Sequence, residues 1–293
     1  MAFLSYLISG LGLGSVYAII ALGYSMVYGI AKMLNFAHGD IIMVGAYVIF
    51  FAINSFGLPL PVALILAVII CLVLGVVIER LAYKPLRQAS SLSVLITAIG
   101  VSYFLQNGAL LLWGSETKIF PSVISNAGLS LFDGKLKITW LSLITIATCI
   151  VIMIGLTLFI NKTKTGRAMR ACSEDKGAAT LMGINVNLII SITFAIGSGL
   201  AAIASLLLCA AYPSVFPTLG SMPGIRAFTA AVFGGIGSIP GTFLGGLLLG
   251  VIENLSKAYI STQLSDAIVF AVLIVVLLIK PTGLLGKKIS EKV

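Results

Sequence analysis

The sequence predicts an all-α, polytopic helical membrane protein with about seven or eight membrane segments, one or two of them broken or re-entrant. Three observations predict it. The chain is 59% apolar and only 9% charged, where a soluble domain carries about 25% charged residues. Its mean hydropathy is +1.16. Six stretches without Asp, Glu, Lys or Arg are long enough to cross a bilayer, which takes about 20 residues. They are 1–31, 41–78, 88–115, 138–161, 177–225 and 227–252, with a shorter seventh at 267–279. All are apolar on every face, unlike the alternating strands of a membrane barrel. The chain reads as a single transmembrane domain, 1–293, with an external loop at 114–137 and a charged loop at 162–187.

The N-terminus is apolar from residue 2, without a basic n-region or an A-x-A site, so it reads as the first membrane segment rather than a cleaved signal. Residues 32–40, KMLNFAHGD, interrupt the apolar pattern and hold the only histidine. After the 41–78 run come Arg80, Lys84 and Arg87. Loop 114–137 has Trp113 at its edge and contains Pro121, Asn126, Gly128 and Gly134, as a surface loop would. The island that follows carries Lys162, Lys164, Arg167, Arg170 and Lys176, and the tail carries Lys280, Lys287, Lys288 and Lys292. The excess of basic residues places all three clusters in the cytoplasm and the 114–137 loop outside.

Parity then constrains the last third. Island and tail share a side, so an even number of crossings separates them. Residues 188–211 make one and about 264–280 another. The stretch 227–256 must cross zero or two times, and about 30 residues are too few for two full spans. GGIGSIPG, residues 234–241, would break a helix in its middle. A re-entrant or broken element is expected there, and the same counting puts the N-terminus outside. With KMLNFAHGD this makes one interruption early and one late, an arrangement that points to a transport pathway at a repeat interface.

Glycines at 10 and 14, at 237, 241 and 245, and at 246 and 250 form small-xxx-small rows, which let helices approach closely in lipid. Cys71, Cys149, Cys172 and Cys209 are scattered, with no C-x-x-C, and read as buried thiols rather than metal ligands. The +9 net charge flanks apolar spans instead of forming a stripe with aromatics, so nucleic acid is not the partner and membrane lipid is. No P-loop is present, because Leu285-Gly286-Lys287-Lys288 has the wrong spacing. No serine–histidine arrangement has an orienting third group. No catalytic residue, cofactor or metal site is expected. An ion-coupled carrier remains an alternative, although Asp40, Glu79, Glu253 and Asp266 all sit near run ends or interruptions.

Two groups of residues stand out. In the island, Ala168, Ala171, Cys172, Ala178, Ala179 and Met182 recur at three and four, giving one small apolar face. Arg167, Arg170 and Glu174 lie on another, Arg170 and Glu174 as an i,i+4 pair. A solvated loop helix and a docking helix for a soluble partner both fit. In the early interruption Asn35, Phe36, His38, Gly39 and Asp40 form a polar cluster, readable as helix capping or as part of a pathway; Gly237 and Ser238 match it in the late one. Arg226, where an outside loop meets the late segment, reads as a surface anchor rather than a gate, with the gate as the alternative.

Four stretches in order resemble bacterial branched-chain amino acid ABC transporter permeases of the LivH type. They are GLGLGSVYAIIALGYSMVYGIAKMLNFAHGDIIMVGAYV (10–48), GRAMRACSEDKGAATLMGIN (166–185), AAVFGGIGSIPGTFLGGLLLGVIENL (230–255) and KPTGLLG (280–286). The resemblance implies a multi-pass protein of the bacterial inner membrane, forming half of a channel for branched-chain amino acids. Permeases for urea or short amides belong to the same wider group. It implies a second permease, a different chain, two ATP-binding cassette subunits that hydrolyse the ATP, and an external substrate-binding protein. It makes the island the coupling helix, with Arg167, Arg170, Glu174, Asp175, Ala178, Ala179 and Gly183 facing the ATPase. The usual permease pattern there is Glu-Ala-Ala, three residues, Gly, and this chain departs from it with Gly177-Ala178-Ala179 before Gly183. It also implies that Asn35, Phe36, His38, Gly39, Asp40, Gly237 and Ser238 line the translocation pathway. A zwitterion there would need donors for its carboxylate, which a broken helix start supplies.

Overall fold

The computed structural model describes residues 2–124, 128–131 and 136–286. Asn126 and Gly134 of the expected external loop, and Lys287, Lys288 and Lys292 of the tail, lie outside them. Helices dominate, in the order α1 (Ala2–Ala31), α2 (His38–Asn54), α3 (Leu60–Ile78), α4 (Ser91–Trp113), α5 (Trp140–Lys162), α6 (Lys164–Glu174), α7 (Lys176–Leu181), α8 (Val186–Ala211), α9 (Ser221–Gly234), α10 (Ile239–Tyr259) and α11 (Ser265–Ile279). Among the described residues six helices are long and apolar enough to cross a membrane, and α2 and α11 are shorter apolar ones. This is the polytopic helical architecture expected from composition.

Local chemistry sets the boundaries. Ser90, Thr163, Asp175, Asn185 and Ser238 each precede a helix and accept a hydrogen bond from a backbone N–H in its first turn, which satisfies one of the donors a helix start leaves open. The apolar 41–78 run, uniform in sequence, contains two helices. It turns at Gly57, which has φ +61°, and Pro59 caps α3. Past α3 the chain continues as one π-helical turn, Glu79–Tyr83, and a 3-10 turn, Lys84–Leu86.

The chain forms two compact units. One comprises Met26–Ile124 and Gly155–Ile225. Its core is α2, α3 and α8 packed on one another, and α8 is buried along most of its length. Small residues permit this: a Cβ at Gly45 would stand 2.8 Å from Ser205 Oγ and 3.2 Å from Ala202 Cα. Tyr47 stacks on Trp113 with ring centroids 4.2 Å apart. Strand β1 (Lys118–Ile119) pairs antiparallel with a second strand at Ser214–Val215.

The other unit comprises Met1–Ser25, Ser125–Ile154 and Arg226–Val293. In it α1 and α10 cross closely. A Cβ at Gly14 would lie 2.7 Å from Leu247 O, and one at Gly246 would lie 2.5 Å from Ala18 Cα. The expected glycine rows at 10–14 and 246–250 therefore mark a close helix contact. The late interruption is also where expected. Helix α9 ends at Gly234 and α10 begins at Ile239, with Gly235 and Gly237 at φ +108° and +90° in the bend. The end of α9 lies against the start of α10: Gly245 packs on Ala230 and Gly241 on Gly234. The segment is thus a hairpin whose second arm is a full 21 residues long, longer than a re-entrant half-helix. The tail closes over the bend, with Leu284 N donating to Phe233 O and Leu285 N to Gly234 O, both at 2.9 Å.

Candidate functional site

The early interruption is a built structure. Helix α1 stops at Ala31, and Lys32 takes a left-handed conformation at φ +57° before α2 starts at His38. Asn35 is buried and accepts a hydrogen bond from the Tyr83 hydroxyl at 2.9 Å. His38 and Gly39 are buried, and Phe36 is half-buried. Gly39 presses its backbone on Gly220, where any Cβ would overlap. Asp40 lies in the first turn of α2, 1% exposed, and accepts from Gln106 Nε2 at 2.9 Å. The same amide donates to Ser102 Oγ and Ser221 Oγ, at 3.1 and 3.2 Å. Asp40 is therefore an internally satisfied polar centre tying α2, α4 and α9. Gln106 and Ser221 are participants the sequence did not reveal, because both lie inside apolar runs.

Gly237 and Ser238 belong to the other unit. Gly237 N donates to Ser25 Oγ at 2.8 Å, and Ser238 caps α10 through Gly241 N at 3.3 Å. Gly237 is exposed and Ser238 half-buried. Nearby in the same unit, Arg226 corrects the expectation of a surface anchor. Its side chain is only 18% exposed. It pairs with Glu253 at 3.1 Å and Asp266 at 2.6 Å and donates to the Tyr17 hydroxyl at 2.9 Å. Lys257 completes the set on Glu253 at 2.6 Å. A charge this deep persists because each partner offsets its desolvation.

The island departs from a single amphipathic helix. Asp175 is extended, at φ −154° and ψ 115°, and splits it into α6 and α7. The expected small face is therefore divided. Cys172 and Ala179 are buried with Met169, Ala168 and Ala171 are half-buried, and Ala178 and Met182 face outward. Arg167, Arg170, Glu174 and Asp175 are exposed. Arg170 donates to Asn161 at 3.3 Å, and among the described residues it forms no ion pair with Glu174. The Asp175 carboxylate is used as the cap of α7, on Ala178 N at 3.0 Å. Gly183 turns left-handed after α7. The end of α7 is apolar and exposed: Leu181 is 90% exposed and Met182 82%.

Beside the island, Glu79 is wholly buried. Arg87 donates to it and to Asn187, and Ser191 donates to its other oxygen at 2.6 Å. Lys176 Nζ donates to Ala31 O, the end of α1, at 2.7 Å, a favourable place for a cation. Among the described residues no group of three or more His, Cys, Asp or Glu could hold a metal ion.

Comparison with known proteins agrees with this architecture. Residues 6–277 match the family described as branched-chain amino acid transport system, permease component. The chain is similar to the high-affinity branched-chain amino acid transport system permease protein BraD of Pseudomonas aeruginosa, 45% identical over 99% of this chain and 98% of that one. It is equally similar to LivH of Escherichia coli K12, a permease protein of the same description, at 45% identity with the same coverage. A probable branched-chain amino acid transport permease protein of Methanocaldococcus jannaschii is 30% identical over 92% of this chain and 88% of its own.

Proposed function

The chain belongs to the family of permease components of branched-chain amino acid transport systems, and on that premise we propose that it is one membrane half of an ATP-driven importer. It is a multi-pass protein of the bacterial inner membrane. In this reading a second, different permease chain completes the channel, an external binding protein delivers leucine, isoleucine or valine, and two ATPase subunits dock on the 162–187 loop. ATP is hydrolysed by those subunits and not by this chain. The early segment Asn35–Asp40 and the late bend at Gly237–Ser238 border the path. Asp40 and Gln106 hold the first of these in place, and Ser25 and Ser238 hold the second.

The observation that carries the coupling role is the exposed apolar end of α7. A Leu and a Met, 90% and 82% exposed, stand on a short helix whose other side is anchored by Ala179 and capped by Asp175. Burying one such leucine in a partner groove is worth about 1.5–3 kcal/mol. Arg167, Arg170 and Glu174 surround the contact as its polar rim, and Asp175 and Gly183 set the shape of α7. The test is recovery of the ATPase subunits with the permease, comparing wild type with Leu181→Asp and Ala178→Trp at equal membrane expression. Both changes lie at exposed positions and leave the membrane helices intact. ATPase recovery and leucine uptake should fall about tenfold or more. Undiminished recovery with normal uptake would reject α7 as the coupling element.

A further inference from the structure

A cleft of about 490 Å³ opens between the turn after α3, α7 and the first turns of α8. Arg87, Lys176, Thr180 and Asn187 give it polar walls, and Ile184 and Ile190 give it apolar ones. Its charge is one-sided. Glu79 is matched by Arg87 and closed off by Ser191. Asp175, next to Lys176, is engaged as a helix cap. Lys176 has a backbone carbonyl as its partner and, among the described residues, no carboxylate. Burial, then the charges of Arg87 and Lys32, push its pKa below the ordinary lysine value. The Arg87 Nε–H is buried and, among the described residues, has no acceptor. An ammonium group without a carboxylate partner thus borders the open space beside the Arg87 guanidinium.

We infer that this cleft seats the phosphate of an anionic phospholipid from the cytoplasmic leaflet, between Arg87 and Lys176, with the glycerol end against Ile184 and Ile190. Guanidinium and ammonium groups are the side chains suited to a phosphate. The depth is that of a headgroup: Arg87 lies eight residues beyond Glu79 at the end of α3, and Asn187 and Ile190 open the membrane helix α8. Basic pockets between membrane helices on the cytoplasmic side take such headgroups. The isoleucines favour an amphiphile over free phosphate, which would gain nothing from them. A lipid there would join α7 to α8, so the inference also links the bilayer to the loop that carries the coupling role. It rests on the cytoplasmic placement of that loop and not on ATPase docking.

The full-length chain, purified in a nonionic detergent, would be titrated with phosphatidylglycerol, phosphatidylcholine or inorganic phosphate while its unfolding midpoint is followed. Phosphatidylglycerol should raise the midpoint saturably, phosphatidylcholine should not, and phosphate should act only weakly. Lys176→Gln and Lys32→Gln should each raise the half-saturating phosphatidylglycerol concentration about fivefold, the effect of one basic charge at an anionic surface. Lys118→Gln, in the loop assigned to the outside, should leave it unchanged. Equal response to both lipids, or a Lys176→Gln curve that superimposes on wild type, overturns the site. Saturation by inorganic phosphate to the same midpoint overturns the lipid as its occupant. ATPase recovery is a separate readout, so failure here is distinguishable from failure of the coupling assignment.

Discussion

Arg226 joins four helices of one unit through single side-chain contacts: its own α9, α1 by Tyr17, α10 by Glu253 and α11 by Asp266. The partners are unequal. Glu253 is wholly buried, while Asp266 is 36% exposed. Removing the arginine leaves a buried carboxylate with Lys257 as its remaining cation among the described residues, a loss of about 3–5 kcal/mol by analogy with other broken buried pairs. Asp266→Asn removes a contact that water partly replaces, about 0–1 kcal/mol. Denaturation in detergent should therefore show a large fall for Arg226→Gln and a small one for Asp266→Asn; equal falls would mean that Glu253 is not the dominant partner. None of this was legible in the sequence. Tyr17 lies 209 residues from Arg226 and Asp266 lies 40 away, and no periodicity connects them. The Asp40 centre was half legible: the acid stood out at the edge of an apolar run, but Gln106 and Ser221, 66 and 115 residues away from their partners, did not.

Elements were more readable than contacts, because their boundaries are written in local chemistry. GGIGSIPG ends one helix and starts another where its glycines and proline require. Caps at Ser90, Thr163, Asn185 and Ser238 follow the usual preference. Two boundaries were missed for opposite reasons. The turn at Gly57–Pro59 lies in a run with no charge to mark it. The break at Asp175 lies in a segment rich in charge, where a cap was read as one more helical acid. The glycine rows were predicted as close contacts, and the α1–α10 crossing allows a specific test. A Cβ at Gly250 would overlap the backbone of Gly14, so Gly250→Leu should force the helices apart. Overpacking of this kind typically loses about 1–3 kcal/mol, and more where backbone is the obstacle. The variant should give little folded protein by size-exclusion profile in detergent; a wild-type profile and midpoint would show that the crossing tolerates side chains.

For the whole molecule, charge bias and parity carry the topology. The charge bias assigns island and tail to one side, and on that assignment the segment between α8 and α11 makes an even number of crossings. The hairpin of α9 and α10 is the element on which that assignment turns. Cysteines placed at Met222, which is 42% exposed, and at exposed Thr262 should both react with an impermeant maleimide added to intact cells. Labelling of only one would refute the two-arm topology. The membrane class and its approximate number of segments were legible because composition and run length are global quantities that no single packing detail can alter. Which apolar faces meet each other was not, since in lipid the helices are distinguished by where small residues allow approach rather than by hydrophobicity.

The closing of the tail over the bend imposes a sequence in time. Leu284 and Leu285 supply the hydrogen bonds that complete the end of α9, yet they are translated about fifty residues after Gly234. At about 5–20 residues per second the ribosome needs several seconds to reach them. Throughout that interval the carbonyl groups of Phe233 and Gly234 wait without their final donors. A nascent chain held up near Lys280 has every apolar segment already made but an unsealed corner between two of them. Quality control that senses open backbone would find the unfinished protein at that corner.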